Sequence, residues 1–99
     1  MLAVATSNND SFVSAIGQKW INIHAEQLDP VSDSICFLFA CDGEAFVILD
    51  CKEKAEKLFQ ALEKRYRNLT RLGGYKPDIQ ISIKPERGQH WRVDFNLNV

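Results

Sequence analysis

Ninety-nine residues, 45% hydrophobic and 25% charged with a net charge of −1, have the makeup of one ordinary globular domain, 1–99. A chain of this size buries roughly 60–65% of its unfolded surface, which leaves little room for a deep catalytic cleft. Met1 to Thr6 is too short for a signal peptide or a membrane span, and three cysteines at 36, 41 and 51, without paired spacing, point to a reducing, cytoplasmic setting.

In chain order, the first expected element is a helix over about 10–26, ended by Asp29-Pro30. Phe12, Val13, Ile16, Trp20 and Ile23 share one helical face, although Trp20-Ile21-Asn22-Ile23 also alternates like a strand, and Gly17 inside a helix costs about 1 kcal/mol. Ser34–Cys41 and Glu44–Leu49 read as strands joined at Asp42-Gly43, a strong hairpin signal. Helix two over 51–71 is the clearest element. Asp50 is a natural N-cap with Glu53 three residues on, and Ala55, Leu58, Phe59, Leu62, Tyr66 and Leu69 draw one apolar stripe before the Gly73-Gly74 stop and Pro77. A second hairpin follows in 78–84 and 90–97, with Ile79, Ile81, Ile83, Trp91, Val93, Phe95 and Leu97 on one face and polar residues on the other.

Residues 10–50 and 56–96 match in hydrophobic class at an offset of 46: Phe12 to Ile16 falls on Leu58 to Leu62, Trp20 on Tyr66, and Val47 and Leu49 on Val93 and Phe95. The expected class is α+β, an αββαββ tandem repeat with a four-stranded antiparallel sheet and both helices on one face, the order of a circularly permuted ferredoxin-like arrangement. The alternative makes 19–26 a strand and gives αβββαββ with five strands.

The two hairpins differ outside. The second is polar there, while in the first Phe37, Phe39, Phe46 and Ile48 compete with Cys36, Leu38, Val47 and Leu49, and both sets are apolar. One set must face away from the helices. An exposed apolar cluster is covered by something, since burying each such side chain contributes about 1.5–3 kcal/mol. The coverings open to it are a second copy, the segment Met1 to Thr6, or a small ligand, and Cys36, Leu38, Phe46 and Ile48 are the candidate interface.

Charge divides along the chain. Residues 1–50 carry one base and seven acids, and residues 51–99 carry eleven bases and six acids, so the halves hold −6 and +5. Lys57, Lys64, Arg67, Arg71, Lys84 and Arg92 form a candidate basic surface for an acidic protein or, as an alternative, for nucleic acid. Single-strand platforms need outward aromatics for stacking, and the polar face of the second hairpin has none.

Asp50-Cys51-Lys52, with Asp33, Asp42 and Glu44 upstream, locally resembles the Asp/Glu-x-Lys element of the PD-(D/E)xK nucleases. The resemblance implies carboxylates at strand ends holding Mg²⁺ and Lys52 orienting the attacking water. That fold places three strands before the helix, and the sequence shows two. Cys51, expected at the first helical position beside Lys52 and Lys54, would have a lowered thiol pKa, with no base near it in sequence. His24 and His90 are not spaced as metal ligands and read as surface residues. The sequence therefore reads as a non-enzymatic interaction or regulatory module without cofactor or metal, self-associating as a homodimer and meeting another protein away from membranes. Nucleic-acid binding and a metal-dependent nuclease built on Asp50 and Lys52 are the alternatives.

Overall fold

The structure is a computed structural model describing residues 12–73 and 79–97. In chain order it contains strand β1 (Phe12–Val13), helices α1 (Ala15–Ile23) and α2 (Ala25–Leu28), a 3-10 segment over Asp29–Ser34, strands β2 (Ile35–Cys41) and β3 (Glu44–Leu49), helix α3 (Lys52–Gly73), and strands β4 (Ile79–Pro85) and β5 (Trp91–Leu97). The last four strands form one antiparallel sheet in the order β2-β3-β5-β4, and the two-residue β1 adds to the β2 edge in parallel. The chain is thus α+β, with the helices on one face of a four-stranded antiparallel sheet.

Each hairpin follows from its turn residues. Gly43 takes φ 75°, the left-handed region that favours glycine, and lets Cys41 pair with Glu44 directly across the turn. Beyond that turn Leu38 pairs with Val47, and a bulge at Cys36 then shifts the register so that Ile35 meets Leu49. Alternation fixes the inner face. Leu38, Ala40, Ala45, Val47, Leu49, Val93 and Phe95 are buried against Ile21, Leu28, Val31, Ala55, Leu58 and Leu62. The two hairpins do not keep one register at the 46-residue offset: Ile35↔Leu49 corresponds to Ile81↔Phe95, but Phe37 meets Ile48 where Ile83 meets Val93.

Helix α3 matches the apolar stripe and ends at Gly73, though it starts at Lys52, so its flanking residue is Cys51 and Asp50 lies one position further out. The first helix departs from the sequence expectation. Residues 12–13 are extended beside β2, while Asp10 lies outside the described residues. Ser14 is the N-cap, its hydroxyl accepting from the Gly17 N–H at 2.9 Å. Residues 19–23 are helical, which removes the alternative that made 19–26 a strand. The helix breaks at His24, resumes for four residues as α2, and passes into the Pro30-containing 3-10 segment.

The face that α1 turns to the sheet is also not the one the apolar pattern marks. Gly17 and Ile21 are buried and Leu28 continues the line, whereas Ile16 and Ile23 are 52% and 55% exposed. The cause is backbone approach. A Cβ added at Gly17 would lie 1.9 Å from the Ala40 carbonyl oxygen. Only glycine allows the helix to sit that close to β2, and that contact fixes the helix's rotation.

Candidate interaction surface

The sheet face turned away from the helices differs from edge to edge. Phe37 and Phe39 on β2, with Phe46 and Ile48 on β3, alternate with buried neighbours and are each half-buried. On β5 the outward residues are Arg92, Asp94 and Asn96, and on β4 they are Gln80, Ser82 and Lys84. The apolar half is an aromatic row. Phe39 and Phe46, direct cross-strand partners, have ring centroids 5.0 Å apart at 12°, and Phe37 and Phe46 lie 5.7 Å apart at 19°. Coplanar rings with centroids this close would drive their carbon edges well inside the ~3.5 Å contact distance. The near-parallel rings therefore stack with their faces turned to one another. Arg92 completes the row, its guanidinium 3.8 Å from the Phe46 ring centre and its Nε donating to Asp94 at 2.8 Å.

Beside Phe37 and Ile48 the β4–β5 loop rises over this face. It encloses an open groove of about 460 Å³ lined by Cys36, Phe37, Ile48, Glu86, Arg87 and His90. The loop is held by its own backbone: Glu86 N–H donates to the His90 carbonyl at 2.8 Å, and His90 Nδ1 bonds the Arg87 carbonyl at 3.1 Å. Burial and the nearby Asp50 carboxylate push the Cys36 thiol pKa up, so this thiol is not an activated nucleophile.

The structure sorts the residues singled out in the sequence. Phe46 and Ile48 are outward, and Cys36 sits at the bulge, half-buried. Leu38 is fully buried in the core and leaves the candidate interface. The direct turn at Asp42-Gly43 puts Leu38 opposite inward Val47, and Phe37 and Phe39 take the outward places. Both residues belonged to the competing apolar set, and the two-residue turn was the signal that selected them.

The expected basic surface is not one surface. Lys57, Lys64 and Arg67 are exposed on α3, on the helical side, while Lys84 and Arg92 belong to the opposite face of the sheet. The Arg71 side chain and Met1 to Thr6 lie outside the described residues. Among the nuclease-like residues, Asp50 is exposed and Lys52 Nζ lies 5.2 Å from the centre of the Trp91 ring. With the two-residue β1, three of the described strands precede α3, the number the resemblance asks for, and β1 lies ahead of α1 and pairs in parallel with the β2 edge. Among the described residues no group of three or more His, Cys, Asp and Glu is placed to hold a metal ion, and no helix is long and apolar enough to cross a membrane.

His24 is not a surface residue. It is 2% exposed at the break between α1 and α2, packed among Trp20, Tyr66 and Phe95. Its Nδ1 lies 2.7 Å from the Trp20 carbonyl, which can only accept, so the proton sits on Nδ1. Nε2 then accepts from the Tyr66 hydroxyl. Burial holds its pKa down at about 4, against the opposing pull of the Trp20 carbonyl and with help from the Arg65 charge. This is a neutral core histidine that ties the helix break to α3.

Comparison with known proteins finds no matching family model, no matching curated protein and no matching solved structure.

Proposed function

We propose that this chain is a small, non-enzymatic protein-interaction module that self-associates through the outer face of the β2–β3 hairpin. The observation that carries the reading is the stacked row of Phe37, Phe46 and Phe39 with Ile48, half-buried on a sheet face that no helix among the described residues covers. Such a row offers ring edges and aliphatic carbon, which pack well into a second apolar surface. The odd count of three cysteines without paired spacing supports a reducing, cytoplasmic setting. Exposed Lys57, Lys64 and Arg67 on the far side of the molecule supply a second contact for an acidic protein.

Outward aromatics on an open sheet also favour single-stranded nucleic acid. Stacking a base, however, needs a ring face turned to solvent, and Phe46 has a phenyl ring on one side and the Arg92 guanidinium on the other. The bases are also split between the two sides of the sheet. Self-association is therefore the stronger reading.

Sedimentation equilibrium from dilute to high protein concentration tests it. The wild type is expected to pass from one chain to two, and Ile48→Lys to weaken that association at least about thirtyfold, the effect of losing a central anchor, with the thermal unfolding transition retained. A wild-type mass of one chain throughout overturns the proposal. A micromolar complex with single-stranded RNA near physiological salt, weakening steeply as salt rises, promotes the nucleic-acid reading in its place.

A further inference from the structure

The two edges of the sheet are finished differently. On the β2 side the two-residue β1 adds in parallel, and the Ser14 N–H donates to the Ala40 carbonyl at 3.0 Å. On the other side β4 ends the sheet, and among the described residues β5 is its only partner strand. Seven residues of open edge are a template for a further strand.

The β4–β5 loop sets which backbone groups that edge offers. The Glu86 N–H donates to the His90 carbonyl at 2.8 Å, and the same pairing continues down the ladder through Lys84 and Arg92, Ser82 and Asp94, and Gln80 and Asn96. In an antiparallel ladder hydrogen-bonded pairs alternate with non-bonded ones. The even-numbered residues of β4 therefore turn their N–H and C=O groups to β5, and Ile79, Ile81, Ile83 and Pro85 turn theirs outward. Pro85 fits this phase, because the N–H it lacks would point away from the sheet. The side chains of Ile79, Ile81 and Ile83 lie on the helix face and stay half-buried, while their neighbours Val93 and Phe95 are fully buried.

We infer that β4 of a second copy adds to this edge antiparallel, about a two-fold axis through Ile81 and perpendicular to the sheet. Ile81 then pairs with its own equivalent, and Ile79 of each copy pairs with Ile83 of the other. This register engages every outward N–H of the three isoleucines, two hydrogen bonds to each pair. A shift of two residues towards Pro85 sets Ile79 against a residue with no N–H to give. A shift the other way carries Ile83 past Ile79, the first residue of the strand. On the helix face the two isoleucine rows meet across the seam, β-branched side chain against β-branched side chain. On the outer face Gln80 faces Ser82, and the two Lys84 side chains stand roughly 20 Å apart, about six residues at ~3.3 Å each.

The edge contact goes beyond the outer-face association. It lies two strands from β3 and leaves Phe46 and Ile48 open to the contact proposed above. Its seam is short, so it takes hold at higher concentration than the outer-face pair.

Charges placed on the outer face of β4 test it in the Ile48→Lys background, which weakens the outer-face contact. Gln80 and Ser82 are exposed and sit beside Asn96 and Asp94 of β5, so lysine at either position is expected to leave the thermal unfolding transition in place. In sedimentation equilibrium up to about 1 mM, the Ile48→Lys parent is expected to approach a mass of two chains. Adding Gln80→Lys with Ser82→Lys opposes lysines across the seam and is expected to weaken this association at least about tenfold. Adding Gln80→Glu with Ser82→Lys opposes unlike charges, and the association is expected to stay within about threefold of the parent or to tighten. A parent that remains one chain overturns the edge contact and leaves the outer-face proposal standing. Two double variants that associate alike overturn the pairing of Gln80 with Ser82 and with it the edge register. A wild type no tighter than Ile48→Lys, with the two double variants still differing as expected, supports the edge contact and overturns the outer-face proposal instead.

Discussion

Residues of the β4–β5 hairpin separate cleanly: Val93 and Phe95 go to the core, and Gln80, Ser82, Lys84 and Asn96 to the other face. The β2–β3 hairpin joins the same sheet and has apolar residues on both faces. The helices that precede the two hairpins differ as much. Helix α3 runs 22 residues on an amphipathic pattern, while α1 runs nine and is held by backbone approach at Gly17 and by the bonds of His24. One element order can thus be stabilised in two ways. The second half relies on pattern, and the first on a few close contacts, which leaves the outer face of its hairpin apolar.

The largest effect should come from breaking the closest of those contacts. Gly17→Ala puts a methyl carbon where the Ala40 carbonyl already is, 1.9 Å away, and this backbone oxygen cannot rotate aside. The helix must lift off β2, with an expected loss of about 3 kcal/mol or more and a fall in Tm above about 10 °C. At the position 46 residues on, Glu63→Ala should stay within about 0.5 kcal/mol, since α3 relies on its stripe. Thermal melts of the two variants decide it. Equal small effects would show that α1 is held by its apolar side chains, as the sequence pattern suggests.

That contrast also marks what the sequence could show. Helix α3 and all four long strands were legible to within about two residues, because their periods of 3.6 and 2 are unmixed and Gly43 punctuates the turn. Helix α1 was not, because its docking is set by the absence of a side chain at Gly17, which a hydrophobic pattern cannot register. The outward set on the first hairpin stayed undecided for a related reason. With both alternating sets apolar, only the turn length chooses between Leu38 and its neighbours Phe37 and Phe39. His24 looked like a surface residue because its partners, the Trp20 carbonyl and Tyr66, lie one turn back and 42 residues ahead.

A second difference between the halves is the pH response of His24. Its folded pKa is about 4, below the ordinary 6.5, so between those values the unfolded chain binds more protons than the folded one. The associated stability is complete above about pH 6.5 and is lost as pH falls towards 4, with a limiting size of about 3 kcal/mol. His24→Gln cannot take up that proton. It should be less stable than wild type near neutral pH, and the gap should narrow steadily between pH 6.5 and 4 in urea titrations. A constant gap between wild type and His24→Gln across this range would mean that His24 is not held neutral by the fold.

The smallest expected effect concerns the helix starts. From sequence, Asp50 is the N-cap of the second helix and Ser14 lies inside the first. In the structure Ser14 is the N-cap of α1, with its hydroxyl 2.9 Å from the Gly17 N–H, and Asp50 stands two residues before Lys52, the first residue of α3. Ser14→Ala removes an acceptor from an N–H that has no partner within the helix, and the expected cost is about 1 kcal/mol. Because the Ser14 N–H also donates to the Ala40 carbonyl at 3.0 Å, Ser14→Gly, which removes the whole side chain but keeps that N–H in a residue tolerated at N-caps, separates capping from backbone geometry. Asp50→Ala should cost less, no more than about 0.5 kcal/mol, since α3 depends on its buried Ala55, Leu58 and Leu62 more than on its first turn. If Asp50→Ala proves the costlier change, the first turn of α3 is anchored through Asp50 in solution. The two helices would then be stabilised at their starts in the same way, differing only in the faces they bury.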